Sequence, residues 1–389
     1  MSDNKDLTVL LTLWDRVSYT RRWMAYGSKV NLPFKVLIAD GSSDESAADL
    51  LSNPGNFPGL DYEYVRYPYD ASPTHYYAKV LDALNRVETP FVVLADNDDF
   101  YLVEGLLRSV EFLKDHSDFS SSRGIIGGVR LAPNANRPEL NNVYDENVSF
   151  VKRVYPDKSN LAPTAVERVH NYFSSYRANW YDVFRTEQTR SSFQVLRDLN
   201  TQDLILSQHI PMLLGVIAGK VNIDSNLYLV RQLEGLGSCD QKETRQNGDL
   251  FDRMLLETWS DDFRGFVNVI AHAISGKDGI PLDEARRHVK QGYRDFIGPH
   301  LIYDLQGQLP PKGSIRLARN AISFMGPVGS ALRKLYPPVQ RALSGRTNGR
   351  KYVPASHLTM TDNDFKMISD FLAEPPRASK DFQRTKLKE

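Results

Sequence analysis

The apolar positions fall into short dense runs near the start of the chain: 7–13, 34–39, 62–67 and 91–95. Each is rich in β-favouring residues and is bounded by turn signals, the pattern of strands buried on both faces of a parallel sheet. Between them the spacing turns helical, over 19–30, 45–51, 74–87 and 103–114. Asp44, Ser72 and Thr74 suit helix caps, and Pro73 suits a first helical turn. Strand alternating with helix predicts an α/β doubly wound, mostly parallel sheet flanked by helices.

From Gly124 to about Tyr155 the pattern shifts to strands and loops, with Pro133, Asn134, Asn136 and Pro138 marking an irregular connection. Further on, 180–185 reads as a strand, 201–219 as a helix and 221–231 as a last strand. Beyond about Gly235 no strand rhythm remains. The expected organisation is an α/β unit over 1–235 and a mainly helical region over 236–389.

Chemistry is sought where strands end, because open parallel sheets bind ligands beyond their carboxyl ends. Trp14-Asp15-Arg16 follows the first strand, Asp40-Gly41-Ser42-Ser43-Asp44 the second and Asp96-Asn97-Asp98-Asp99 the fourth. Three carboxylates in four residues repel unless a positive charge sits among them. A hard divalent cation, Mn²⁺ or Mg²⁺, supplies that charge and bridges carboxylates to a diphosphate. An acidic loop capping the helix that begins near Tyr101 would carry the same residues. Asp40 suits a contact to a uracil ring or a ribose, and equally a turn carboxylate. Lys79 suits a base or phosphate contact, or plain solvation.

In that order, Thr12 to Arg16, Ala39 to Asp44, Ala78-Lys79 and Leu94 to Asp98 resemble the GT-A fold glycosyltransferases of family 2, over roughly residues 7–232. The resemblance implies a nucleotide-sugar donor, with Asp40 on the nucleoside and Lys79 on the nucleotide. Asp96 would lie near the ribose, Asp98 would be the metal ligand beside Asp96 and Asn97, and Thr12 and Arg16 would edge the pocket. The family's Asn-x-Gly segment is replaced here by Ser72-Pro73-Thr74-His75-Tyr76-Tyr77.

An inverting transfer needs a carboxylate to deprotonate the acceptor hydroxyl. The matching position is Asp203, in Asn200-Thr201-Gln202-Asp203, with Gln202 where the family commonly has Glu. A helix first-turn aspartate supporting a Thr201 cap is the structural alternative. Arg231, after the last strand, suits a bidentate phosphate contact or a salt bridge. No His stands where the family often places one. His75, His170 and His209 have no zinc-like spacing, and Tyr176, Trp180 and Tyr181 suit core packing or a sugar face.

The implied activity is a metal-dependent, inverting transfer to a hydroxyl of a saccharide or lipid-linked saccharide, in bacterial surface polysaccharide assembly. A nucleotidyltransferase would carry a glycine-rich basic loop after the first strand, and Thr12-Leu13-Trp14-Asp15-Arg16 has no glycine. A non-catalytic nucleotide- or glycan-binding scaffold is the other alternative.

Composition narrows the setting. The 389 residues carry 48 Lys plus Arg and 48 Asp plus Glu, so net charge is zero and nucleic acid is not an expected partner. The one cysteine, Cys239, can close no internal disulfide, which fits a reducing compartment. The N-terminus lacks a secretory apolar run, and the longest apolar stretch, 210–218, is too short for a bilayer, so a cytoplasmic protein is expected. Residues 312–351 mix basic and apolar side chains without an acidic one. That composition suits a peripheral contact with an anionic membrane, or a basic face packed on acidic parts of the same protein.

Overall fold

The computed structural model describes residues 6–131, 143–145, 148–151, 153–175, 179–233, 247–308 and 363–373. Cys239, Tyr176 and the basic segment 312–351 lie outside them. The order of the first half is β1 (Leu7–Leu13), α1 (Val17–Lys29), β2 (Lys35–Asp40), α2 (Ser46–Leu51), β3 (Tyr62–Arg66), α3 (Pro73–Asn85), β4 (Phe91–Ala95), β5 (Asp99–Tyr101) and α4 (Val103–Asp115). There follow β6 (Phe119–Leu131), β7 (Val148–Val151), α5 (Ala165–Ser174), β8 (Val183–Arg185), α6 (Thr186–Leu199), α7 (Leu204–Ala218) and β9 (Lys220–Gln232). The rest is helical: α8 (Leu250–Met254), α9 (Trp259–Asp278), α10 (Leu282–Gln308) and α11 (Asn363–Ala373).

The strands form one sheet in the order β3-β2-β1-β4-β8-β6-β9-β5, with β7 hydrogen-bonded to β6. β1, β2, β3 and β4 are parallel neighbours, β6 and β9 run the same way, and β5, β7 and β8 run against them. The expected α/β class is what the chain adopts. All seven residues of β1 are buried, because helices cover both faces. Burying each such aliphatic side chain is worth about 1.5–3 kcal/mol. One face packs on α3, α5, α6, α7, α9 and α10, the other on α1, α2 and α4. Residues on both sides of position 235 share the first of these cores. Among the described residues no helix is long and apolar enough to cross a membrane.

Three details differ from the sequence pattern. The run 180–185 splits into a 3₁₀ turn, Asn179–Tyr181, and a short strand, β8. The acidic loop after β4 leads first into β5, which pairs with β9, and only then into a helix. The long helix begins at Leu204 with Asp203 itself as cap, accepting the Leu206 amide at 2.9 Å, so Thr201 is not the cap.

One buried ion pair ties the middle of the sheet together. Arg123 Nε lies 3.0 Å from Asp182 Oδ1, and Ser121 Oγ donates to Asp182 Oδ2 at 2.8 Å. Burial pushes the Asp182 carboxyl up to about 7, against the pull of Arg123. The unfolded carboxyl titrates near 3.9, so between these values the folded state holds an extra proton. The contribution is present at low pH and is lost as pH rises through 7. Urea unfolding of wild type and Asp182→Asn should therefore show the wild type gaining about 2 kcal/mol relative to the variant between pH 8 and pH 5.5. A pH-independent difference would contradict this proton uptake.

Candidate active site

β1, β2, β3, β4 and β9 end on one edge of the sheet, where the turns between them interlock. Asp15 and Arg16 both have φ 59°, a left-handed conformation that side chains resist. Asp15 is clamped across to the loop after β2. Its amide donates to Ser42 Oγ at 2.9 Å, and its Oδ1 accepts from Ser43 N and Oγ, both at 2.8 Å. This turn aims Arg16 at the loop after β4, where Nη1 donates to Asp98 Oδ2 at 2.8 Å and Nη2 to Asn97 Oδ1 at 2.7 Å.

The acidic loop is braced from three sides. Tyr181 Oη donates to Asp96 Oδ2 at 2.8 Å, and Arg231 Nε donates to Asp99 Oδ2 at 3.0 Å. The Arg231 guanidinium lies 4.2 Å from the Tyr181 ring centroid, donates from Nη1 to Tyr155 Oη at 2.9 Å and stands 3.9 Å from Asp96. Behind the loop, fully buried Arg22 donates to the Asp98 carbonyl, the Val143 carbonyl and Gln232 Oε1. Burial, then the charge of Asp98, pushes the Asp96 carboxyl up, and burial pushes Asp99 up further still. Burial would raise Asp98 too, but Arg16 beside it, helped by Arg231, holds it below the usual carboxylate range.

Asp96, Asp98 and Asp99 each offer a carboxylate oxygen within 4.8 Å of the other two. Asp99 Oδ1 is buried without a hydrogen-bond partner. Such a set of hard oxygen donors fits Mg²⁺ or Mn²⁺.

The β1–β2–β3 corner forms a second cluster. Asp40, fully buried, accepts from Ser42 N and Oγ on one oxygen, and from Tyr64 Oη at 2.7 Å and Arg66 Nη1 at 3.1 Å on the other. A nucleoside contact there requires opening this shell. Lys79 is not solvated: it is buried, ion-paired with Asp70 and bonded to the Leu13 carbonyl at 2.8 Å. The Asp70 carboxylate packs so closely on Gly41 that a Cβ there would lie 2.4 Å from it. Thr12 Oγ1 hydrogen-bonds Tyr76 Oη at 3.1 Å, and Lys79 Nζ sits 5.0 Å from the Tyr76 ring centroid.

Asp203 stands apart from these clusters in its contacts. Its amide and that of Gln202 donate to Asp262. Its Oδ2 is buried without a hydrogen bond, 3.8 Å from Arg253 Nε. α7 leads directly into β9, the strand that pairs with β5 beside the acidic loop. Below Asp203, His209 is bonded to Tyr172, and burial lowers its pKa to about 3, so it stays neutral.

The structure thus brings Arg16, Asp96, Asn97, Asp98 and Arg231 into one contact network, and Thr12 and Lys79 into a neighbouring one with Asp40 close by. Asp70 and Arg22 were not among the sequence candidates, and Tyr181 was expected in core packing or on a sugar face rather than as the partner of Asp96. Asp70 could have been found by its place after the third strand, and Tyr181 by its place before β8. Nothing in the spacing of α1 marks Arg22.

No protein-family model matches the sequence, and no curated protein matches it. Among solved structures the chain is similar to TarS of S. aureus. Residues 1–349 of that protein in complex with UDP-GlcNAc match at 13% identity and TM-score 0.44, over 75% of this chain and 73% of that one. The same fragment in complex with UDP matches at 14% and 0.45, over 87% of each. A TarS structure without that truncation matches at 14% and 0.38, over 74% of this chain and 54% of that one. Identity at this level transfers no residue role.

Proposed function

We propose that this chain is a glycosyltransferase that moves a sugar from a nucleotide-sugar donor to a hydroxyl of a saccharide or lipid-linked saccharide, with metal dependence and inversion at the transferred carbon. The observation that carries the reading is the meeting of Asp96, Asp98 and Asp99 with Arg16 and Arg231 at the carboxyl edge of the sheet. This edge is where an open α/β sheet presents ligands.

Asp96, Asp98 and Asp99 would hold Mn²⁺ or Mg²⁺, which supplies charge neutralisation to a departing diphosphate. Arg231, fixed by Asp99, Tyr155 and Tyr181, presents further positive charge to the phosphates without having to be ordered on binding. Asn97 and Arg22 hold the loop backbone in place. Thr12, Tyr76 and the Asp70–Lys79 pair shape the nucleoside end, and Asp40 fixes the turn beneath it. Asp203 takes the proton of the acceptor hydroxyl.

One observation favours a second reading, a nucleotide-binding module without transfer: Arg253 covers the Asp203 carboxylate. Isothermal titration and hydrolysis assays with UDP-, GDP-, CMP- and dTDP-linked sugars, with and without Mn²⁺, separate the two. The transferase reading expects one nucleotide class to bind with Mn²⁺ and its sugar to be released slowly to water. Binding without hydrolysis or transfer would favour the module. No binding by any of the four would end both.

A further inference from the structure

We infer that Arg16 is an internal counter-ion that occupies the cation's place on Asp98 until a nucleoside diphosphate arrives, and that it then exchanges Asp98 for the diphosphate. This rests on the donor-binding reading above.

The charges show why an exchange is needed. The three carboxylates of Asp96, Asp98 and Asp99 meet three guanidiniums: Arg16 on Asp98, Arg231 on Asp99, and Arg22 on the Asp98 carbonyl. The cluster is neutral before any cation enters. A dication added to it gains little net attraction while Arg16 holds Asp98, because like charges then crowd one carboxylate. Moving Arg16 away restores a negative charge to the loop, and a diphosphate gives the freed guanidinium a bidentate partner.

Of the three guanidiniums, Arg16 is placed to move. Arg22 is wholly buried and bonded to three acceptors. Arg231 is gripped by Asp99, Tyr155 and the Tyr181 ring. Arg16 and Arg231 are each about a fifth exposed, but Arg231 is fixed within β9 opposite Asp99 of β5, whereas Arg16 stands on the turn between β1 and α1. It is the N-cap of α1, so a phosphate reaching it also meets the positive end of that helix. Its backbone, like that of Asp15, is held at φ 59° by the Asp15–Ser43 clamp. The strained turn keeps the side chain at the mouth of the site rather than folded along the helix.

Competition for Asp98 makes cation and nucleotide binding cooperative, each tightening the other by the same factor. The test is calorimetry of the full chain with Mn²⁺ alone, UDP alone and both together, with GDP substituted if UDP is not the nucleotide bound. Mn²⁺ alone should bind wild type weakly and about tenfold or more tightly with the nucleotide present. Arg16→Met should bind Mn²⁺ alone about fivefold or more tightly than wild type, bind the nucleotide alone more weakly, and lose most of the coupling. Arg16→Gln, which keeps a hydrogen-bond donor for Asn97 without the charge, should behave likewise and serves if the Met variant is unstable. Unchanged or weakened Mn²⁺ affinity in a folded variant overturns the role of Arg16 and leaves the donor reading standing. Failure of wild type to bind any nucleotide with Mn²⁺ overturns both.

Discussion

Asp98→Asn is expected to lower turnover of the nucleotide sugar by about a thousandfold or more, with little loss of stability. Asparagine keeps the size of the side chain and an oxygen that can still accept from Arg16, which now holds Asp98 at 2.8 Å. What disappears is the ionised oxygen, in the member of the acidic trio whose charge Arg16 favours most. Asp96 and Asp99 stay engaged by Tyr181 and Arg231, so the substitution removes only the carboxylate that Arg16 holds. Steady-state hydrolysis or transfer with Mn²⁺, beside a thermal unfolding curve, gives the answer. A folded variant retaining a tenth of wild-type turnover would remove Asp98 from the metal set.

Asp203→Asn should reduce kcat by about a hundred- to ten-thousandfold, the usual worth of a positioned general base, while leaving nucleotide affinity unchanged. Asparagine is as good an N-cap as aspartate, so the bond to the Leu206 amide survives. The variant leaves Arg253 beside a neutral group, which affects stability rather than donor binding. The split between kcat and nucleotide Kd is therefore the diagnostic. A purely structural Asp203 would shift the unfolding temperature and leave kcat within a few fold.

The parallel half of the sheet was legible because β1, β2 and β4 are buried on both faces and so are apolar almost throughout. Their ends announced the polar turns, and Arg16, Asp96, Asn97 and Asp98 were found there. Partners were not legible. Lys79 carries no sequence mark of the Asp70 it pairs with, and Asp40 none of Tyr64 and Arg66, since each pair forms only when neighbouring strands align. Nor could periodicity reveal β5: three residues buried against β9 look the same as the start of a helix. Arg22 was hidden for a related reason, since an arginine in an amphipathic helix is ordinarily solvated.

The wall behind the acidic loop comes from far along the chain. Phe371 of α11 packs edge-on against Tyr26 and Phe100, next to Asp99, and the Asp145 amide is held by the Leu372 carbonyl. A nascent chain emerging from the ribosome would pair its strands well before this helix exists, leaving an apolar hollow behind the future ligand loop. Completion of this wall would thus wait for α11, and a chain cut short ahead of Asn363 would lack the Phe371 packing behind the acidic loop.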